Sequence, residues 1–111
     1  MNKREIYIPI LYEKSVPFEV LKEICAGLEE EGVPFRLVQR EQDLGLVALG
    51  AVAASMSPLH VGIGVDSNEG LCLHHDKLRA EEPYLQDRIE NGRRLGKNAA
   101  RLVKGLPLYC S

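Results

Sequence analysis

The sequence predicts a three-layer α/β fold, in which a mixed sheet of about four to five strands lies between helices. Runs rich in β-branched residues alternate along the chain with runs whose apolar residues recur at helical spacing, in the order β-α-β-α-β-β-α. Residues 57–75, SPLHVGIGVDSNEGLCLHH, read as two apolar strands joined by a tight turn, which indicates an antiparallel hairpin before the last helix. The length of 111 residues fits one domain spanning residues 1–111.

Composition and cysteine usage argue against several classes of function. A formal net charge of −2 and the absence of Trp do not favour a nucleic-acid-binding surface. No run of 18 apolar residues suggests a membrane span, and the N-terminal residues lack signal-peptide features, so we expect a cytoplasmic protein. Cys25, Cys72 and Cys110 are far apart and without metal-ligand spacing, which predicts neither a zinc site nor a disulfide framework.

The first strand and the first helix are predicted between residues 6 and 31. The strand covers IYIPILY, residues 6–12, and Pro9 removes one backbone donor from it, which predicts an edge or bulged strand. Ser15 and Pro17 are expected to open the helix, and Gly32 is expected to end it. Its buried stripe is expected to be Val20, Leu21, Ile24, Cys25 and Leu28.

Three adjacent carboxylates, Glu29, Glu30 and Glu31, occupy the last turn of this helix. The carbonyl end of a helix carries partial negative charge and favours cations, so these residues break a local preference. They are either ordinary solvated charges or a docking point for a metal ion or for a basic patch of another chain. Because two or three carboxylates do not complete a Mg²⁺ or Ca²⁺ shell, the remaining ligands of such an ion would be external.

The middle of the chain is predicted to add a strand and an alanine-rich helix. The strand covers residues 35–38, and Asp43 is the expected N-cap of the helix that follows. The residues at helical spacing, expected to face the sheet, are Leu44, Val47, Ala48, Ala51 and Val52.

One face of the first hairpin strand lacks side chains. Gly62 and Gly64 alternate there with Val61, Ile63 and Val65. Two glycines on one face of a strand indicate that something packs very close. We expect a helix there, with a bound ligand as the alternative.

The final helix is predicted to start near Pro83 or Tyr84 and to stop at Gly105, with possible breaks at residues 91–92 and 96. Cations recur along it at i, i+4, i+8 and i+11 and form one basic stripe, namely Arg93, Lys97, Arg101 and Lys104. The stripe is either a solvated face that suits a helix C-terminus or a surface that docks onto acidic groups.

Catalytic motifs are not recognised in the residues. The chain shows no P-loop, no GxGxxG and no GxSxG nucleophile elbow. His74, His75 and Asp76 are expected to be the polar end of an edge strand. Cys72 shares a strand face with His74, but apolar surroundings raise a thiol pKa, so the pair is a weak dyad. The residues therefore favour a module that works through a surface over an enzyme.

Three segments together resemble a known family: GLEEEGVPFR (27–36), SPLHVGIGVD (57–66) and GKNAARLVKG (96–105). They resemble the small subunit of the diol/glycerol dehydratase reactivating factor, which is itself similar to the medium subunit of the adenosylcobalamin-dependent dehydratases. The medium subunit carries further sequence at its ends, so length favours the reactivating factor. The resemblance implies an α/β sandwich like that of anticodon-binding domains.

The resemblance also implies a function and a site. The chain would be a non-catalytic subunit of a chaperone-like complex that releases damaged cobalamin, by exchanging with the medium subunit. Its partners would be a large Hsp70-like ATPase subunit, which holds ATP or ADP, and the dehydratase large subunit, in a hetero-tetramer of the cytoplasm or a bacterial microcompartment. The family places a metal-binding glutamate, with Mg²⁺ or Ca²⁺, at the interface with the large subunit; Glu30 is the first choice and Glu31 the second, within the partner-binding group Glu29, Glu30 and Glu31.

Two other hypotheses stay open at this stage. In the first, the chain is a medium-subunit-like component of the dehydratase, and the Gly62/Gly64 face and the hairpin help to hold cobalamin. In the second, it is a stand-alone domain that binds a small molecule or anion through the basic stripe.

Overall fold

The computed structural model describes residues 6–41 and 44–109. The elements, in chain order, are β1 (Ile8–Glu13), α1 (Phe18–Glu30), β2 (Phe35–Arg40), α2 (Leu46–Met56), β3 (Val61–Val65), β4 (Gly70–His75), β5 (Leu85–Arg88) and α3 (Gly92–Lys104). The sheet order is β2-β1-β3-β4-β5, with β2, β1 and β3 parallel and β4 and β5 antiparallel to their neighbours. Helices α1 and α3 cover one face and α2 covers the other, which confirms the predicted mixed sheet and its three layers.

The prediction that Pro9 makes β1 an edge or bulged strand is wrong. Strand β1 lies between β2 and β3 and pairs with β2 in unbroken register from Ile8 to Glu13. The Ile8 N–H donates to the Pro34 carbonyl on the β2 side, so the Pro9 nitrogen faces β3. The ladder with β3 begins only at Ile10. Pro9 is therefore tolerated because its missing donor falls beyond the end of that ladder.

Helix α1 follows the predicted pattern except at its start. Pro17 is the N-cap residue and no side chain caps the helix, so the expected role of Ser15 is wrong. At the other end Gly32 has a φ of 76°, its N–H donates to the Glu29 carbonyl, and the Val33 N–H donates to the Leu28 carbonyl. This is the Schellman arrangement, in which glycine takes the left-handed conformation at low cost. Val20 is only half-buried, whereas the rest of the predicted stripe is buried, namely Leu21, Ile24, Cys25 and Leu28.

Helix α2 turns a different face to the sheet from the one that the sequence predicted. Its buried residues are Leu49, Gly50, Ala53 and Ala54, and the predicted set is only half-buried: Leu44, Val47, Ala48, Ala51 and Val52. The helix is apolar on all sides, so periodicity alone cannot select its inner face. The helix begins at Leu46 with Gly45 as N-cap, and Asp43, the expected cap, lies outside the described residues.

The bare face of β3 selects that inner face of α2. A Cβ on Gly62 would lie 2.1 Å from the Ala54 nitrogen, and one on Gly64 would lie 2.6 Å from the Gly50 nitrogen. Only the smallest residues on both elements allow this approach. The expectation of a closely packed helix is confirmed, and the alternative of a ligand on the glycine face is wrong because α2 fills that space.

The final helix is shorter than predicted. Residues Leu85–Arg88 form edge strand β5, which pairs antiparallel with β4, and a 3-10 turn at Ile89–Asn91 leads into α3. Alternate burial of Leu85 and Asp87 over these four residues has the strand period, which is too short a signal to separate from a helix in the sequence. Helix α3 then runs unbroken through Gly96 and ends at Gly105, where φ is 70°.

The hairpin β3–β4 is formed as predicted. The Asp66 carboxylate accepts hydrogen bonds from the backbone N–H groups of Asn68 and Gly70, which fixes the turn. Strand β4 lies between β3 and β5, so the expectation that His74, His75 and Asp76 end an edge strand is wrong. His74 is buried, with its ring nitrogens near the carbonyl oxygens of His75 and Ala80.

Candidate functional site

Helices α1 and α3 cross in direct backbone contact. A Cβ on Gly27 would lie 2.2 Å from the Arg93 carbonyl oxygen, and a Cβ on Gly96 would lie 2.2 Å from the Ile24 carbonyl oxygen. Contacts this short do not occur between real atoms, so glycine is required on both helices. The crossing brings the carboxyl end of α1 beside the basic stripe of α3.

Glu30 lies between two cations of α3. The Arg93 guanidinium is 3.2 Å from one carboxylate oxygen of Glu30, and the Lys97 ammonium is 3.2 Å from the other. Arg93 also contacts the Glu23 carboxylate at 3.0 Å, two helical turns before Glu30 on the same side of α1. The Glu30 side chain nevertheless keeps 41% of its surface exposed.

Glu31 is more buried than Glu30, but its carboxylate contacts are longer. Its carboxylate lies 3.7 Å from the Arg101 Nε and 4.0 Å from the Lys104 ammonium. Lys104 also donates a hydrogen bond to the Glu31 backbone carbonyl, one of the orphan carbonyls at the end of α1. Only 14% of the Glu31 side chain is exposed. We name the group of these charged side chains the ion-pair patch: Glu23, Glu30, Glu31, Arg93, Lys97, Arg101 and Lys104.

The ion-pair patch accounts for both charge anomalies of the sequence. No basic residue lies in the last turn of α1, so the helix itself does not neutralise its carboxyl end. The cations come from α3 instead, across the glycine contact. The basic stripe is therefore paired with acidic groups of its own chain, and docking onto an acidic surface of another protein stays a hypothesis.

Glu29 faces a different surface. It lies at the rim of a groove of about 360 Å³ between α1 and β2, whose lining includes exposed Phe18 and Leu37. No ion pair of Glu29 is found in residues 6–41 and 44–109. The three predicted partner-binding glutamates are therefore adjacent in sequence but differ in what surrounds each carboxylate.

The last residues that the structure describes, up to Tyr109, fold back onto α3. Buried Asn98 donates its amide to the Tyr109 carbonyl at 3.2 Å and accepts from the Tyr109 N–H at 2.6 Å. The Arg101 guanidinium lies 4.0 Å from the centre of the Tyr109 ring, and Lys97 lies 5.4 Å from it. The segment GKNAAR, residues 96–101, thus contributes to three features: the glycine contact with α1, the ion-pair patch, and the hydrogen bonds to Tyr109. Sequence reasoning missed Glu23, Asn98 and Tyr109; only Glu23 carried a signal, its seven-residue spacing from Glu30.

Burial disfavours the thiolate form of both buried cysteines. Burial raises the pKa of Cys72 to about 12, and burial together with the charge of Glu29 raises the pKa of Cys25 to about 11. Both are free cysteines, and Cys110 lies outside the described residues. The weak Cys72–His74 dyad therefore lacks an activated nucleophile.

Side-chain clusters that could hold a metal ion within this chain were sought in the part that the structure describes. No group of three or more His, Cys, Asp or Glu residues there has that arrangement. An ion at Glu30 would need its other ligands from outside the chain. Across the same residues, none of the helices is long and apolar enough to span a membrane.

Fold and site together define a class of protein: a small α/β domain with an open sheet and a charged surface where two helices cross. Comparison with known proteins gives the family. The family model described as "Dehydratase medium subunit" matches residues 7–109. The propanediol dehydratase-reactivating factor small subunit of Citrobacter freundii is 40% identical over 94 residues, which cover 80% of this chain and 78% of the relative.

Solved structures agree with that result. A glycerol dehydratase reactivase superposes with a TM-score of 0.90 at 35% identity, covering 96% of this chain and 98% of that one. A diol dehydratase-reactivating factor solved with ADP and Mg²⁺ gives a TM-score of 0.85 at 34% identity, covering 96% of this chain and 100% of that one. The chain belongs to the dehydratase medium subunit family, among the small subunits of the diol/glycerol dehydratase-reactivating factors.

Proposed function

We propose that this chain is the non-catalytic subunit of a chaperone-like, ATP-dependent complex that releases damaged cobalamin from an inactivated adenosylcobalamin-dependent diol or glycerol dehydratase. In this proposal the chain binds a large Hsp70-like ATPase subunit, which carries ATP or ADP. The complex, a hetero-tetramer, delivers the chain to the dehydratase large subunit. There the chain takes the place of the dehydratase medium subunit, and the opened enzyme loses its cofactor. The proposed location is the cytoplasm, with or without a microcompartment.

The proposed exchange step rests on one observation, which is that the chain resembles both medium subunits of dehydratases and small subunits of reactivating factors. A model of dehydratase medium subunits matches residues 7–109, while the similar curated chains are small subunits of reactivating factors. A chain that shares the fold of the medium subunit can compete for the surface that the medium subunit covers.

The exchange is tested with a dehydratase that carries cyanocobalamin in place of its active cofactor. The chain and a large reactivase subunit are added with ATP, released cobalamin is measured by absorbance, and the subunits are separated by size-exclusion chromatography. The proposal expects cobalamin in the low-molecular-weight fractions, free medium subunit, and this chain bound to the dehydratase large subunit. Release without displacement of the medium subunit refutes the exchange, and no release refutes the function.

The proposed contact with the large subunit is the group Glu29, Glu30 and Glu31, with Glu30 as the metal ligand and Glu31 as the weaker choice. Glu30 offers at most one coordination position, because its side chain is 41% exposed but Arg93 and Lys97 each lie 3.2 Å from a different oxygen of its carboxylate and would have to move away. Glu31 fits less well, since only 14% of its side chain is exposed. Mg²⁺ or Ca²⁺ would complete its shell with oxygen ligands of the partner and supply a bridge between the chains.

This contact is tested by capturing the chain on the immobilised large subunit with and without Mg²⁺. Glu30→Ala is expected to abolish the gain in binding that Mg²⁺ gives. Glu19→Ala is the matched control, because Glu19 is an exposed carboxylate at the opposite end of the same helix. If neither Mg²⁺ nor the Glu30→Ala substitution changes binding, the proposed metal site is refuted and the family assignment stands.

A second candidate function is a component of the dehydratase itself that contacts cobalamin. The family model favours it, since that model describes medium subunits. It cannot use the Gly62/Gly64 face, which α2 fills. Saturable binding of cobalamin by the purified complex would favour this candidate, and its absence would favour the reactivating factor.

A further inference from the structure

Strand β2 leaves one row of backbone groups without a neighbouring strand. Backbone groups of a parallel strand point alternately to its two sides, and the Pro34 carbonyl accepts its hydrogen bond from the Ile8 N–H of β1. The N–H and C=O groups of Phe35, Leu37 and Gln39 therefore point away from β1. Strand β2 is last in the sheet order, and no backbone partner for these groups is found in the part of the chain that the structure describes. We name these three residues the open edge, which is a surface on which a further strand can pair.

The opposite edge of the sheet, strand β5, is protected. It is four residues long, the Asp87 carboxylate accepts a hydrogen bond from the Arg88 N–H, and the Arg88 guanidinium is paired with Glu69. Short strands and charged side chains are the usual means by which proteins prevent edge pairing. Strand β2 has six residues in unbroken register, with exposed Leu37 at its centre. The two edges therefore differ in what they present to another chain.

An apolar groove lies beside the open edge. It has a volume of about 360 Å³, and its lining includes Phe18, Cys25, Ala26 and Leu37. Phe18 is 66% exposed and Leu37 is 36% exposed, although both side chains are large and apolar. The side chain of Phe35 packs against the core under α1, and Leu37, two residues later, shares that face of the sheet. A strand added at the open edge would cover these side chains, so backbone pairing and apolar burial would act together.

We propose that the open edge pairs with the open edge of a second copy of this chain, antiparallel and about a two-fold axis at Leu37. Leu37 then faces Leu37 of the second copy, and Phe35 of each copy faces Gln39 of the other. Each residue whose backbone points outward meets another such residue, and the pairs exchange about six hydrogen bonds. The two sheets become one continuous sheet.

Charge selects this register over its neighbours. An axis at Arg36 would place that guanidinium opposite its own copy, and an axis at Val38 would place it opposite Arg40 of the second copy. Like charges directly opposite each other destabilise a pair of strands. The axis at Leu37 instead places Arg36 opposite Val38. It also keeps every residue of the open edge paired, whereas either shift leaves one of them without its counterpart in the strand.

Two charges on α1 complement each other across the same axis. Lys22 and Glu29 are exposed and line the groove, and no ion pair of either is found in residues 6–41 and 44–109. Midway between them on the helix are Cys25 and Ala26, which line the groove together with Leu37. A two-fold axis at that level reverses the direction of α1, so Lys22 of each copy lies opposite Glu29 of the other. Such complementary charges favour this orientation of the two copies.

The surface that the second copy covers is separate from the ion-pair patch. Glu30 and Glu31 face the cations of α3, whereas Glu29 faces the groove. Pairing of two copies therefore leaves Glu30 and Glu31 uncovered, and it does not depend on the proposed contact with a large subunit.

The test is sedimentation equilibrium of the purified chain at concentrations from about 1 to 300 μM, a range that suits a small interface. The wild type is expected to pass from monomer to dimer with a dissociation constant of about 10–100 μM. Leu37→Lys places two ammonium groups at the axis and is expected to weaken association by about tenfold or more. Gln86→Lys is the matched control, because it adds the same charge to an exposed residue of the other edge strand. It is expected to stay within about twofold of wild type.

Charge reversal tests the orientation of the two copies. Lys22→Glu and Glu29→Lys each place like charges opposite one another and are expected to weaken association about three- to tenfold. The double variant restores opposite charges and is expected to return to within about twofold of wild type. A loss of folding in the single variants would not be repaired in the double variant, and circular dichroism records the folding of each.

Amide hydrogen exchange locates the contact within the chain. At high concentration the N–H groups of Phe35, Leu37 and Gln39 are expected to gain about tenfold protection, while those that already bond β1 stay as they are. A wild type that stays monomeric throughout overturns the proposal and leaves the open edge to a strand of another protein. A dimer that is unaffected by Leu37→Lys, or that Gln86→Lys weakens, uses another surface and also overturns it. A double charge variant that associates no better than the single variants refutes the two-fold arrangement.

Discussion

Gly96→Ala is expected to unfold the chain more easily, although alanine is the better helix former. A Cβ at residue 96 would lie 2.2 Å from the Ile24 carbonyl oxygen and 3.1 Å from the Leu28 nitrogen. These are backbone atoms of α1, so no rotation of a side chain can relieve the contact. Since Cβ contacts below 3.0 Å essentially never occur, the helices must separate by about 0.8 Å.

The magnitude follows from two opposing terms. Replacing a glycine inside a helix with alanine gains about 1 kcal/mol of helix propensity. Overpacking costs about 1–3 kcal/mol, and the upper end applies here because backbone meets backbone and a gap of 0.5–1 Å forfeits about a quarter to a half of each dispersion contact between the helices. The free energy of unfolding should therefore fall by about 2 kcal/mol.

The assay is urea denaturation of the purified chain followed by circular dichroism. With an m-value of about 1.5 kcal/mol/M, a loss of 2 kcal/mol lowers the urea midpoint by about 1 M. Gly92→Ala is the matched control on the same helix, because the atom nearest to its Cβ would be Ile24 Cγ1 at 3.3 Å and the nearest backbone atom, the Val20 carbonyl oxygen, would lie at an ordinary contact distance of 3.6 Å. It should stay within about 0.5 kcal/mol of wild type. A Gly96→Ala variant as stable as Gly92→Ala would refute the close crossing.

Three further predictions address the thiol, the carboxyl of β5 and the C-terminal residues. Because burial raises the pKa of Cys72 to about 12, iodoacetamide should leave it unmodified in the folded chain and label it in urea, as read by peptide mass spectrometry; labelling in the folded chain would contradict this. Burial opposes ionisation of Asp87, but hydrogen bonds from Asn91, the Arg88 N–H and Arg94 outweigh it and lower the pKa of that carboxyl. Its contribution to stability is present above the unfolded pKa of about 3.9 and is lost as the pH falls through the folded pKa, so Asp87→Asn should flatten the acid limb of the stability curve. Asn98→Ala removes both hydrogen bonds to residue 109 and should lower the free energy of unfolding by about 1–3 kcal/mol and speed carboxypeptidase digestion; an unchanged midpoint would mean that those bonds contribute nothing net.

The sequence predicted elements well where the pattern was long and amphipathic. Helix α1 and the hairpin are examples, and Gly32 and Gly105 ended their helices as expected. Prediction failed where the local pattern carried no information about the element that packs against it in the fold. Helix α2 is apolar on every side, and its inner face was fixed by the bare face of β3, a tertiary fact.

Position in the sheet was also beyond the sequence. Pro9 suggested an edge, yet it is accommodated in an inner strand because the β3 ladder starts one residue later. Likewise the four residues of β5 are too few for a period to be recognised, and they were assigned to the following helix. In both cases the local signal led to a wrong assignment because its tertiary context was unknown.

At the candidate site, too, the sequence showed the local features but not which of them lie together in the fold. The acidic end of α1 and the basic stripe of α3 were each recognised as unusual in the sequence, and a binding partner outside the chain was considered for each. They lie more than sixty residues apart, and only the contact of Gly27 and Gly96 with the opposite backbone shows that they face one another. A partner that binds here therefore meets a surface whose charges are already paired, and it must offer Glu30 more than Arg93 and Lys97 do. Affinity at this surface is consequently a difference between the ion pairs within the chain and those that a partner forms.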